Sequence, residues 1–291
     1  MERYICIHGH FYQPPRENPW LECIDPQDSA HPYHDWNERV TAECYAPNTA
    51  SRILDQEGRI QQIVNNYSRI SFNFGPTLLS WLESHAPETY RAILQADRET
   101  QRAFSGHGSA LAQGYSHMVM PLASRRDKYT QVRWAIRDFE HRFGRRPEGM
   151  WLPETAVDME TLDIMAEHGL RFTILSPQQA RRVRALGSQE WLDVSRGRIN
   201  TTMPYSLQLP SGRSIALFFY NEAVSRSVAF EGLLASGEPF AHRLLDSFHE
   251  DRTRPQLVHI ATDGETYGHH HRFGDMALAY ALRHIETDSP A

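Results

Sequence analysis

Gln256–Leu282 reads QLVHIATDGETYGHHHRFGDMALAYAL. An apolar run of strand length, Gln256–Gly264, leads into a polar turn holding two carboxylates, Asp263 and Glu265, and the histidine triplet His269–His271. An apolar run with helical spacing follows, Phe273–Ile285. Strand, polar turn and helix in that order are the repeating unit of a parallel α/β fold.

The same alternation recurs on working back through the chain. Strand-like runs lie at Arg3–Gly9, Arg69–Gly75, Glu148–Glu154, Arg171–Ser176 and Ser214–Asn221, with a weaker one at Arg102–Gly108. Helix-like segments occupy Leu78–Gln101, Arg126–Phe143, Asp158–His168 and Phe240–His249. The apolar stripe in RDKYTQVRWAIRDFEHRF (Arg126–Phe143), Trp134 included, has helical spacing and is expected to face a core. Seven strands, each leaving through a polar or glycine-bearing turn, predict a (β/α)7 barrel, an incomplete TIM-like barrel of parallel strands. An open doubly wound sheet is the alternative, but no GxGxxG follows the first strand. The stretch HGHFYQPPRENPWLECIDPQDSAHPYHDW (His8–Trp36) is long, proline-rich and aromatic, and reads as a functional loop.

Composition narrows the function. The 291 residues are 40% hydrophobic and 23% charged, ordinary values for a soluble globular protein, with a net charge of −6. That balance opposes nucleic-acid binding, which needs a basic stripe. No run approaches the roughly 20 apolar residues of a membrane span. Three cysteines, Cys6, Cys23 and Cys44, form no CxxC pair and cannot all pair with one another. This points to a reducing compartment. With MERYICIHG running straight into a strand, a cytoplasmic protein is expected. No sequence feature specifies an oligomeric state.

Candidate site residues collect at the C-terminal ends of the strands. The first strand supplies His8 and His10, with Gln13 beyond; the third leads to His107 and His117; the fourth ends in Trp151 and Glu154; the seventh in Asp263, Glu265 and His269. In a parallel barrel these ends open on one face. Glu154, after MWLP, could simply be a favoured acid in a helix's first turn. Asp263 could be an ordinary Asp-Gly turn residue. Two carboxylates on different strands, with aromatic, His and Gln side chains around them, also suit glycoside hydrolysis: one nucleophile or base, one acid. Sixteen histidines are many, yet consecutive residues of a helix point different ways, so HHH is not expected to hold a metal. No GxSxG elbow is present.

Together these stretches resemble glycoside hydrolase family 57 along nearly the whole chain. HGHFYQP (His8–Pro14) is similar to the family's first motif, with Phe11 and Tyr12 inserted before Gln13; GYSHMVMPL (Gly114–Leu122) resembles the second, GMWLPETAVD (Gly149–Asp158) the third and TDGETYGHH (Thr262–His270) the fourth. The resemblance implies one catalytic barrel domain over residues 1–291, without the C-terminal helical region of longer members. It implies retaining chemistry on α-glycosidic bonds of an α-glucan, of amylase, 4-α-glucanotransferase or branching type. Glu154 would be the nucleophile and Asp263 the general acid/base, with carboxyl groups about 5–5.5 Å apart. His8, His10, Gln13, His117, Trp151, Glu265 and His269 would contact an oligo- or polysaccharide, and no metal or cofactor is needed. A metal-dependent polysaccharide deacetylase is a second possibility; it would want an acidic pair after the first strand, where HGHF stands. A non-catalytic carbohydrate-binding barrel is the third.

Overall fold

The computed structural model describes residues 2–250 and 254–288. Seven strands carry the architecture: β1 (Arg3–Phe11), β2 (Ser71–Phe74), β3 (Ala112–Gln113), β4 (Met150–Trp151), β5 (Phe172–Leu175), β6 (Ser214–Phe219) and β7 (Gln256–Asp263). The larger helices are α1 (Pro76–His85), α2 (Pro87–Ala103), α3 (Arg125–Phe143), α4 (Met159–Glu167), α5 (Glu222–Phe230), α6 (Gly237–Leu245) and α7 (Gly274–Asp288). None is long and apolar enough to cross a membrane.

Residue contacts divide the chain into two compact units, and the division runs through strands β1 and β7. The first unit comprises Met1–His8, Leu111–Arg226 and Asp246–Ala261. In it β3 and β4 pair in parallel through Ala112 with Met150 and Gln113 with Trp151. A parallel bridge from Gly149 to Phe172 reaches β5, which pairs in parallel with β6. Tyr205–Gln208 adds an antiparallel strand to β6. The Asn221 amide donates to His259 O at 2.8 Å, and the Gln256 amide to Glu2 O at 3.2 Å. Leu111, Trp151, Ile174 and Ala261 form a buried cluster against Phe172, Phe218 and Tyr220. Helix α3 starts where Ser124 accepts from the Asp127 amide, and ends at Gly144, whose φ of 68° suits a residue without Cβ.

The second unit comprises Gly9–Ala110, Ser227–Leu245 and Thr262–Ala291. Here the Gly75 amide donates to Phe11 O at 3.0 Å, and Phe72 bridges in parallel to Ala110. Phe11, Tyr45, Tyr67, Phe72 and Phe74 build an aromatic core; Phe11 stacks on Phe74 at 4.6 Å and 6°. The chain after β1 enters a helical stretch, Trp36–Thr49, begun by the Asp35 carboxylate accepting from the Asn37 and Glu38 amides.

Parallel strands and interleaved helices are therefore observed. Among the described residues the strands form separate sheets joined by single bridges; one runs in the order β7-β1-β2. Four local expectations are corrected. Arg102–Gly108 is not a strand: α2 runs to Ala103, and pairing begins only at Ala110. The segment Leu78–Gln101 is two helices, because Pro87 has no amide proton and breaks the run at Ala86. Phe240–His249 begins earlier and ends at Leu245. In α3 the buried stripe is Val132, Ile136 and Phe139, whereas Trp134 is exposed, meeting Tyr115 edge-on at 5.4 Å.

Candidate functional site

In the first unit, β4 ends at the buried Trp151, a buried Leu152 follows, and Pro153 then opens a single 3-10 turn, Pro153–Thr155. Glu154 has φ 57° and Thr155 φ 51°, two consecutive non-glycine residues in the left-handed region. Such a residue costs on the order of 1–3 kcal/mol, and a β-branched threonine is the least suited. The surroundings hold it: the Thr155 amide donates to Leu152 O at 2.9 Å, the Ala156 amide to Pro153 O at 3.0 Å, and Gln179 Nε2 to Thr155 O at 2.7 Å. The Glu154 side chain is exposed. Strain stored beside a solvent-facing carboxylate is a mark of a functional position.

The Trp151 ring is buried and lies against His8, itself fully buried, with centroids 5.0 Å apart and planes 24° apart. His117 also has positive φ, 53°, in a turn closed by its amide donating to Gly114 O at 3.1 Å; its side chain is half-buried.

In the second unit, β7 ends at Asp263, whose side chain is exposed. Gly264 follows, and its need for glycine is steric. A Cβ there would stand 2.2 Å from Phe11 Cδ1, so the DG pair serves ring packing and not a left-handed turn. Glu265 lies in the 3-10 turn Gly264–Tyr267 and is buried, 6% exposed. Its Oε1 accepts from Tyr45 Oη at 2.5 Å and from the Tyr12 amide at 3.1 Å. Burial pushes this carboxyl up to about 7, against the pull of the Tyr45 bond.

His10 is buried, with Nδ1 2.8 Å from Asn73 Nδ2 and its ring parallel to that of Tyr12. Gln13 is half-buried and accepts from Arg16 Nη2 at 2.6 Å. The triplet diverges. His269 Nδ1 bonds Glu43, His271 Nε2 donates to Ala229 O at 2.9 Å, and His270 is exposed. Burial alone would raise the Glu43 carboxyl, but bonds from His269 and Arg39 outweigh it and hold it below the usual range.

Sequence reading missed Tyr45, Arg16 and Asn73. Tyr45 lies in a stretch with no strand or motif signal, and its bond to Glu265 joins residues 220 positions apart. His107, which the sequence reading placed with His117 at the end of the third strand, is exposed in the turn after α2.

Residues 8–289 match the family described as Glycosyl hydrolase family 57. This chain belongs to glycoside hydrolase family 57. Among curated proteins, it is 27% identical over 107 residues to Alpha-amylase 1 of Dictyoglomus thermophilum, covering 36% of this chain and 15% of that one. Its fold is similar to that of a 4-alpha-glucanotransferase from Thermococcus litoralis, with a TM-score of 0.66 and 16% identity, over 99% of this chain and 38% of the other. It is similar as well to a GH57-type branching enzyme from Pyrococcus horikoshii: TM-score 0.66, 15% identity, 98% of this chain and 67% of that one. This family 57 chain thus spans 15% of the amylase and 38% of the glucanotransferase. At these identities the structural likeness establishes an α/β fold with parallel strands.

Proposed function

We propose that this chain carries the catalytic part of a retaining enzyme acting on α-glycosidic bonds of an α-glucan, of amylase, 4-α-glucanotransferase or branching type. The observation that carries this is the exposed Glu154 carboxylate on its two-residue left-handed turn at the exit of β4. Family membership, and the activities named for its relatives, support the substrate class. The seven strands β1–β7 are read as the staves of a (β/α)7 barrel making one catalytic domain, since the family match runs through both units. The odd count of three cysteines, with no CxxC pair, supports a reducing, cytoplasmic setting.

Glu154 attacks the anomeric carbon while Asp263 gives its proton to the leaving sugar oxygen, and the glycosidic C–O bond breaks. Water or a sugar hydroxyl then surrenders a proton to Asp263 and attacks the same carbon, releasing Glu154. This requires carboxyl groups about 5–5.5 Å apart. The partly accessible His117, Gln13 and His269 are assigned to sugar hydroxyls. The buried His8, His10, Trp151 and Glu265 are assigned to the layer that orients them.

Incubation with maltoheptaose and with glycogen, followed by chain-length separation, tests this. Longer products mean disproportionation, new branch points mean branching, and short sugars alone mean hydrolysis. Unaltered substrates in both incubations remove the assignment.

A further inference from the structure

Asp263 stands at the head of a turn that one helical stretch anchors at three successive points. From Trp36–Thr49, Cys44 Sγ reaches Gly264 O at 3.5 Å, Tyr45 Oη donates to Glu265 Oε1 at 2.5 Å, and Asn48 Nδ2 donates to Tyr267 O at 2.8 Å. The Glu265 carboxyl also receives the Tyr12 amide, just past β1. Nearby, Arg16 Nη2 donates to Gln13 Oε1 at 2.6 Å. On the far side the His270 amide closes onto Glu265 O at 3.0 Å.

We propose that Glu265 is a positioning residue for Asp263, clamped by Tyr45 and the Tyr12 amide so that the turn presents the Asp263 carboxyl in one orientation. This rests on the assignment of Asp263 as general acid/base. A buried acid is an unusual choice for a clamp, because an amide or hydroxyl would accept the same bonds without the desolvation penalty of a charge. What an acid adds is a charge that can appear two residues from Asp263. The groups facing Glu265 are Tyr45 and Cys44 from the helical stretch, Tyr67 from the turn Asn66–Ser68, and Asp263 on its own segment. None is a cation. Once ionised, therefore, Glu265 favours the protonated form of Asp263 by like-charge repulsion. Its ionisation lies near neutral pH, since burial sets it at about 7.

The test is a comparison of wild type, Glu265→Gln and Tyr45→Phe. Glutamine keeps an oxygen for both the Tyr45 hydroxyl and the Tyr12 amide but carries no charge. The first readout needs no substrate: the 13C carboxyl signal of Asp263, assigned by its loss in Asp263→Asn, followed against pH. Wild type shows an inflection near pH 7 from Glu265, and Glu265→Gln lacks it. The second readout is the pH profile of kcat/KM on maltoheptaose. Its alkaline limb moves down by about one pH unit in Glu265→Gln, the order of a like-charge pair in a partly screened site. Tyr45→Phe removes a donor to the carboxylate, so the NMR inflection moves to higher pH; this variant decides the matter if Glu265→Gln does not fold. An Asp263 curve identical in all folded proteins overturns the proposal. Absence of wild-type turnover with the NMR inflection intact overturns the α-glucan assignment and leaves the clamp standing.

Discussion

Gly264→Ala is the substitution whose outcome follows most directly from packing. The added Cβ would stand 2.2, 2.3 and 2.5 Å from Phe11 Cδ1, Cε1 and Cγ. Carbon atoms in contact prefer about 3.5–4.0 Å, so ring or turn must yield by about 1.3 Å or more. The ring has nowhere to go: Phe74 covers one face at 4.6 Å, and Tyr67 and Tyr45 stand edge-on at 5.3 and 6.0 Å. Overpacking a tight core costs about 1–3 kcal/mol, and a closed aromatic cluster places this change at the upper end, about 3 kcal/mol. Phe11→Ala alone costs about 3–5 kcal/mol through the cavity it leaves. That cavity also admits the alanine methyl, so the double variant is less destabilised than the sum of the singles by about 2 kcal/mol. Urea unfolding of all four proteins completes the cycle. A coupling below about 0.5 kcal/mol would refute the claim that Phe11 is what excludes a side chain at position 264. Turnover by the single Gly264→Ala variant also falls, because the turn carrying Asp263 is displaced.

Glu154→Gln and Asp263→Asn each lower turnover of maltoheptaose by on the order of 1000-fold or more, about 4 kcal/mol of barrier, with unchanged circular dichroism; wild-type rates in either remove the two-carboxylate mechanism. Glu154→Gly relieves a left-handed non-glycine residue at an exposed position. It raises stability by about 1 kcal/mol in urea while abolishing turnover, and a loss of stability would show that φ 57° is not strained there. The Glu265 carboxyl is raised from 4.5 to about 7, so the folded state binds more protons than the unfolded state between those values. Stability therefore falls as pH rises through this window, by about 3 kcal/mol from this group, and is not recovered above it. Urea midpoints measured from pH 4 to 8 show that slope in wild type and lose it in Glu265→Gln. An equal slope in both would place the titration elsewhere.

Alternation of strand and helix is written in periodicity, a property of neighbouring residues, which is why Gln256–Leu282 was readable as strand, turn and helix without coordinates. The motifs were legible for a related reason: Glu154 and Asp263 end apolar runs, and a carboxylate there stands out against its flanks. Two readings of spacing failed for reasons local to the chain. Arg102–Gly108 has strand-like residues but sits in the turn that ends α2, and Pro87 split what spacing alone made one helix. Only the tertiary structure showed that Gly264 yields space to Phe11, and that Glu265 is buried against Tyr45 while Asp263 beside it faces solvent. Which of two carboxyls in TDGE is buried depends on atoms brought from over 200 positions away, and burial sets proton affinity. Composition carries no trace of that pairing.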